Sequence, residues 1–124
     1  SGRFGVPHGV ACALLTPPVM AFNAIAAPER LAEVGHILGV PRDPAKTIYE
    51  QAYQAAEAFR ALMQQLDLPL TLTELGTRGL ARPAITEADL DTLTADAMLA
   101  RGMRGRNPRV NGERDIRALY ASVL

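Results

Sequence analysis

The stretch Asp43-Pro44-Ala45-Lys46-Thr47-Ile48-Tyr49-Glu50-Gln51-Ala52-Tyr53-Gln54-Ala55-Ala56-Glu57-Ala58-Phe59-Arg60-Ala61-Leu62-Met63-Gln64-Gln65-Leu66-Asp67 decides the fold class. Ile48, Ala52, Ala55, Phe59, Leu62 and Leu66 recur every three or four residues, the repeat of one helical face. Glu50, Glu57, Arg60 and Gln64 fall elsewhere around the same helix. Asp43 offers an N-cap oxygen and Pro44 suits a first turn, whose amide has no partner inside the helix. The pattern predicts a helix from there to about Asp67, closed by Pro69.

Working outward, the same signals repeat. Pro7 opens a helix from His8 to about Leu15, which Pro17 and Pro18 are expected to kink or break. Pro28 to Leu38 reads as a helix stopped by Gly39, with Leu31, Val34, Ile37 and Leu38 as its buried stripe. Thr71-Leu72-Thr73-Glu74 has capping-box spacing and opens one short turn before Gly76. Thr86-Glu87-Ala88-Asp89 starts a helix carrying Leu90, Leu93, Ala97 and Met98. Gly102 and Gly105 predict a loop through Asn107-Pro108-Arg109, after which Asn111 caps a last helix with Ile116, Leu119, Tyr120 and Val123. No window alternates as a strand does, and no repeat divides the chain. The expectation is all-α: one domain over 1–124, a bundle of five or six helices.

Composition agrees. Apolar residues make up 48% of the 124 residues, aromatic residues only 5%, and tryptophan is absent, which suits helices packed through alanine and leucine. Thirteen basic side chains balance thirteen acidic ones, so no global field attracts nucleic acid or an anionic membrane. The apolar stretch Gly9 to Ala27 is interrupted by Thr16, Pro17, Pro18 and Asn23 and makes a poor membrane span. Cys12 is the single cysteine, so no internal disulfide forms, and the opening SGRFGVPHG lacks the pattern of a signal peptide. Both fit a cytoplasmic location.

Few residues carry chemistry. His8 and Cys12, four apart, share a helical face where imidazole and thiolate converge on a metal. Two donors do not close a site, and a hydrogen-bonded or solvated histidine at a helix start is the competing reading. Cys12, flanked by alanines, reads as a small core residue, and His36 carries no expected catalytic role. Arg104, Arg106 and Arg109 either hold an anion such as a carboxylate or phosphate, or solvate a loop. Asn107 reads as satisfying backbone groups in a turn. No glycine-rich phosphate loop follows a strand.

The order of landmarks says more. Phe4, Pro7-His8-Gly9, the alanine- and leucine-rich run to Leu15, Pro17 and Phe22-Asn23 resemble a signature stretch of the iron-containing alcohol dehydrogenase family. Ala27-Pro28-Glu29-Arg30-Leu31-Ala32, Leu66-Asp67-Leu68-Pro69, Leu75-Gly76 and Asn107-Pro108-Arg109 follow in the family's order. The resemblance implies the helical C-terminal domain of a two-domain enzyme. A divalent metal, iron or zinc, would sit between that domain and an N-terminal dinucleotide-binding domain. Its ligands would be an aspartate and three histidines, His8 matching the last and the others lying before Ser1. NAD(P) would exchange a hydride with the substrate carbon. By itself the chain is expected to hold neither group tightly and to be inactive.

Thr16-Pro17-Pro18-Val19 stands where many relatives have Leu-Pro-His-Val. Ala26-Ala27-Pro28-Glu29 resembles the maleylacetate reductase branch, whose dicarboxylate substrate would give the arginines Arg104, Arg106 and Arg109 a purpose. The alternative is a stand-alone helical binding or oligomerisation module descended from the family.

Overall fold

A computed structural model describes residues 2–124. Among them are seven α-helices: α1 (His8–Asn23), α2 (Pro28–Ile37), α3 (Ile48–Gln65), α4 (Leu72–Thr77), α5 (Leu90–Met98), α6 (Arg101–Gly105) and α7 (Glu113–Ser122). A 3-10 turn, Glu87–Asp89, leads into α5. The described residues form no strand. The expected all-α class holds; the count rises above six because α4 and α6 are short helices in their own right.

The helix α1 is central, packing on α3 on one side and on α7 on the other, while α2 pairs with α3 and α5 with α7. Two apolar clusters meet along it. Phe4, Val6, Leu14, Leu72, Leu75, Ala81, Ile85 and Val123 form one; Met20, Ala55 and Ala56, backed by Leu31 and Phe59, form the other. The segments on either side of α1 are tied in by backbone bonds. The Arg82 amide donates to the Phe4 carbonyl at 2.9 Å, and the Leu72 and Thr73 amides donate to the carbonyls of Val123 and Leu124.

The break that Pro17 and Pro18 could cause does not occur: α1 runs through both. Each proline removes one intrahelical hydrogen bond and costs about 3 kcal/mol in an exposed helix interior. Here both are buried between neighbouring helices, and that burial offsets the local penalty.

The third helix begins later than its cap signals suggest. The Asp43 carboxylate accepts from the Ala45 amide in a tight turn, and Thr47 is the N-cap, its hydroxyl accepting from the Glu50 amide at 3.1 Å. Buried stripes also differ. In α2 the buried residues are Pro28, Ala32 and Gly35, whereas Val34 is exposed and Ile37 is 77% exposed. A side chain at Gly35 would stand 3.2 Å from the Ala55 Cβ, so small residues let the two helix backbones approach closely. In α3 Met63 takes the inward place near the end, while Leu62 and Leu66 face outward.

Toward the C-terminus, Gly102 and Gly105 lie in the single turn of α6 where a loop was expected. Gly112, not Asn111, is the N-cap of α7, and its amide donates to the Asp115 carboxylate at 2.9 Å. Asn111 instead donates its side-chain amide to the carbonyls of Arg104 and Arg109. Ahead of α5 the expected start signal takes the form of a capping box, with the Thr86 amide donating to Asp89 at 2.8 Å.

Candidate functional site

His8 is the first residue of α1 and is exposed. Pro7 before it is the N-cap (φ −54°, ψ 133°), its carbonyl accepting from the Ala11 amide at 3.1 Å, so His8 stands at the helix's N-terminal rim. One turn on, Cys12 Sγ lies 3.5 Å from His8 Nε2. The pairing anticipated from the i, i+4 spacing is therefore present. Cys12 itself is exposed, which corrects the expectation of a core cysteine. His36 Nδ1 sits 3.0 Å from the Val40 carbonyl and closes the end of α2, a structural role.

Among the described residues, no group of three or more histidine, cysteine, aspartate and glutamate side chains is arranged to hold a metal ion. His8 offers one imidazole nitrogen and Cys12 one sulfur. A structural or catalytic zinc site draws on at least three protein side chains, so any metal at His8 needs donors from outside these residues.

At its other end, α1 is fastened by a clasp. Asn23, 8% exposed, donates to Asn107 Oδ1 at 2.9 Å, and Asn107 donates back to Asn23 Oδ1 at 2.7 Å. Asn107 also reaches the Arg109 carbonyl at 2.9 Å. Arg109 stacks over Phe22, 4.0 Å from the ring centre, and donates to the Phe22 carbonyl at 2.9 Å. The Phe-Asn pair and the Asn-Pro-Arg turn are thus two halves of one feature. Asn107 does serve its own turn, as its residue type suggested, but its long-range partner was not anticipated. The available signal was that both sequence landmarks belong to one family pattern.

The three arginines named from sequence have separate surroundings. Arg104 donates to the Met98 carbonyl at 3.1 Å and lies 3.4 Å from Asn111 Oδ1. Arg109 is held by Phe22. Arg106 is exposed at the end of α6. Beside the clasp lies a mainly apolar cavity of about 340 Å³ that includes Leu15, Val19 and Phe22 of α1 and Met103 of α6.

The fold is thus an all-helical domain with an exposed imidazole at the rim of its central helix. The whole chain, residues 1–124, matches the family described as Fe-containing alcohol dehydrogenase family, C-terminal. It is 32% identical over 123 residues to 1,3-propanediol dehydrogenase of Klebsiella pneumoniae, covering 99% of this chain and 29% of that protein. Lactaldehyde reductase of Escherichia coli (strain K12) is 32% identical over 117 residues, 94% of this chain and 28% of its own length. The crystal structure of a 1,3-propanediol oxidoreductase superposes with a TM-score of 0.85 at 28% identity, over 99% of this chain and 30% of that one. The chain therefore belongs to the iron-containing alcohol dehydrogenase family and corresponds to its C-terminal helical domain. It spans about 30% of the length of the relatives it matches. No helix among the described residues is long and apolar enough to cross a membrane.

Proposed function

We propose that this chain is the metal-side part of an NAD(P)-dependent oxidoreductase that interconverts an alcohol and its carbonyl compound, and that it is inactive without a dinucleotide-binding domain. The observation that carries the reading is His8: an exposed imidazole on the first residue of the central helix, within the Pro7-His8-Gly9 landmark. The donor set fits a metal ligand contributed to a shared site, because an imidazole suits iron and zinc alike. When bound, the metal supplies a Lewis acid beside the carbonyl or alkoxide oxygen, and NAD(P) supplies or accepts the hydride.

The chain's own residues position that imidazole. Pro7 fixes the entry of α1, the buried prolines Pro17 and Pro18 hold its middle, and the Asn23–Asn107 clasp fixes its end. A small alcohol or aldehyde is a better fit than a maleylacetate-like dicarboxylate. Propanediol and lactaldehyde are the substrates that relatives' names carry. Arg104 and Arg109, two of the three cations that would receive a dicarboxylate, are engaged by backbone carbonyls. Arg106 is the exposed position at which a second carboxylate would be met.

The test is NADH and NADPH oxidation by the complete dehydrogenase with small aldehydes and with maleylacetate. Reduction of aldehydes by the complete protein, with no turnover by this chain alone, supports the reading. Faster reduction of maleylacetate, lost in Arg106→Ala, reverses the substrate assignment. Turnover by this chain alone overturns the proposal.

A further inference from the structure

Pro17, Pro18 and Ala21 of α1 floor a cleft of about 400 Å³ whose walls come from α3 and α7. Arg60 of α3 and Arg109, from the turn after α6, both line it. Neither takes part in an ion pair among the described residues, where Arg3, Arg42, Arg78 and Arg117 supply the cations. Arg60 is half-buried, and its Nε is enclosed without a hydrogen-bond partner. Arg109 uses Nη1 on the Phe22 carbonyl, and its other nitrogens donate to nothing among the described residues. Two acidic side chains stand on the same rim without pairing. Glu57 is exposed, and Asp115 accepts from the Gly112 amide at the head of α7. A guanidinium nitrogen held out of water without an acceptor is costly, so an acceptor from outside these residues suits the cleft.

The lining narrows what that acceptor is. A planar carboxylate takes two parallel N–H bonds from one guanidinium, the geometry that an unpaired arginine offers. Glu57 and Asp115 repel a ligand that carries several negative charges. Between the charged groups the surface is apolar, formed by the two prolines, Ala21 and Leu119. A cavity of this size, apolar with a few convergent polar groups, is the usual form of a small-molecule site. We propose that the cleft binds a small monocarboxylate with a short aliphatic tail. Its carboxylate lies on Arg60 and Arg109, and its tail lies on the Pro17–Pro18 floor. Binding there needs no metal and is independent of the role of His8.

The experiment titrates the complete dehydrogenase with butyrate by calorimetry, at ionic strength matched with chloride, and repeats the titration with succinate and with inorganic phosphate. The wild-type protein should bind butyrate at least about tenfold more tightly than either comparison anion. Arg60→Gln should weaken butyrate about tenfold or more while leaving Tm unchanged, and Arg60→Lys should recover little, because an ammonium lacks the paired donor geometry. Ala118→Glu, at an exposed position of α7 on the cleft, sets a carboxylate in the mouth and should also remove butyrate binding. That variant decides the matter where Arg60→Gln fails to fold. No butyrate binding by the wild-type protein, or equal affinity in the wild-type, Arg60→Gln and Ala118→Glu proteins, overturns the proposal. Phosphate or succinate binding as tight as butyrate also overturns it, since the cleft would then select charge alone. So does an Arg60→Gln protein whose Tm falls by several degrees when the wild type ignores butyrate, the result expected if a carboxylate side chain from another segment already occupies the cleft.

Discussion

Asn23 and Asn107, separated by 84 positions, exchange two side-chain amide hydrogen bonds of 2.9 and 2.7 Å, each donating to the other's oxygen. Through them the end of the central helix is fixed to the turn that follows α6. Asn23 is buried, so deleting its partner leaves an amide without water or protein to satisfy it. Asn107→Ala is expected to cost about 1–3 kcal/mol in denaturant unfolding. The Asn23→Ala, Asn107→Ala double variant should cost less than the sum of the singles. Strict additivity would show that the two amides are not coupled.

Arg109 braces the same clasp from the Phe22 side. Its guanidinium both stacks on the ring and donates to the backbone carbonyl, a combination that an ammonium cannot reproduce in one geometry. Arg109→Ala should destabilise by about 1–2 kcal/mol, with Arg109→Lys recovering less than half. Full recovery with lysine in equilibrium unfolding would reduce the contact to simple charge.

Close packing makes a further test at Gly76. A Cβ there would lie 2.7 Å from the Ala84 Cβ, inside any normal contact. Alanine is favoured over glycine in a helix by about 1 kcal/mol, yet Gly76→Ala should lower stability by about 1–3 kcal/mol. Adding Ala84→Gly should restore it. A stabilised Gly76→Ala protein would contradict the packing described for α4.

Acid sensitivity follows from two carboxylates. The Leu70 amide, donating at 2.6 Å, and then Arg78 hold Glu74 below the usual carboxylate range, and Arg3 does the same for Asp96. A lowered folded-state pKa contributes stability above the unfolded value, about 4.3 for glutamate and 3.9 for aspartate. That stability disappears as pH falls through the depressed folded values. Unfolding midpoints should therefore be flat near neutrality and decline below about pH 4. Glu74→Gln should shallow that decline; an unchanged acid limb would remove Glu74 from the account.

The helices were legible because local periodicity survives folding: α3, α5 and α7 stand where their apolar spacing puts them. What escaped was set by groups distant in sequence. The start of α3 is a local exception: the Asp43 carboxylate accepts from the Ala45 amide two residues on, and Thr47 caps the helix. Pro17 and Pro18 obey a local rule that burial overrides. In α2 the largest apolar residues were expected inside, but the contact of Gly35 with Ala55 places the smallest there. The site divides in the same way. The approach of His8 to Cys12 is a property of one helix and was readable. The carbonyls that occupy Arg104 and Arg109 belong to Met98 and Phe22, and nothing in the arginines' own spacing reveals acceptors of that kind.

We propose that His8 contributes a ligand to a shared metal site, and the metal content of the complete protein tests this most directly. After removal of loosely bound ions, the wild-type protein should retain iron or zinc near one equivalent, and His8→Ala should lose most of it while keeping its helical content and its binding of NAD(P). Equal metal in the two proteins would contradict the claim and leave His8 a solvated histidine at the start of a helix.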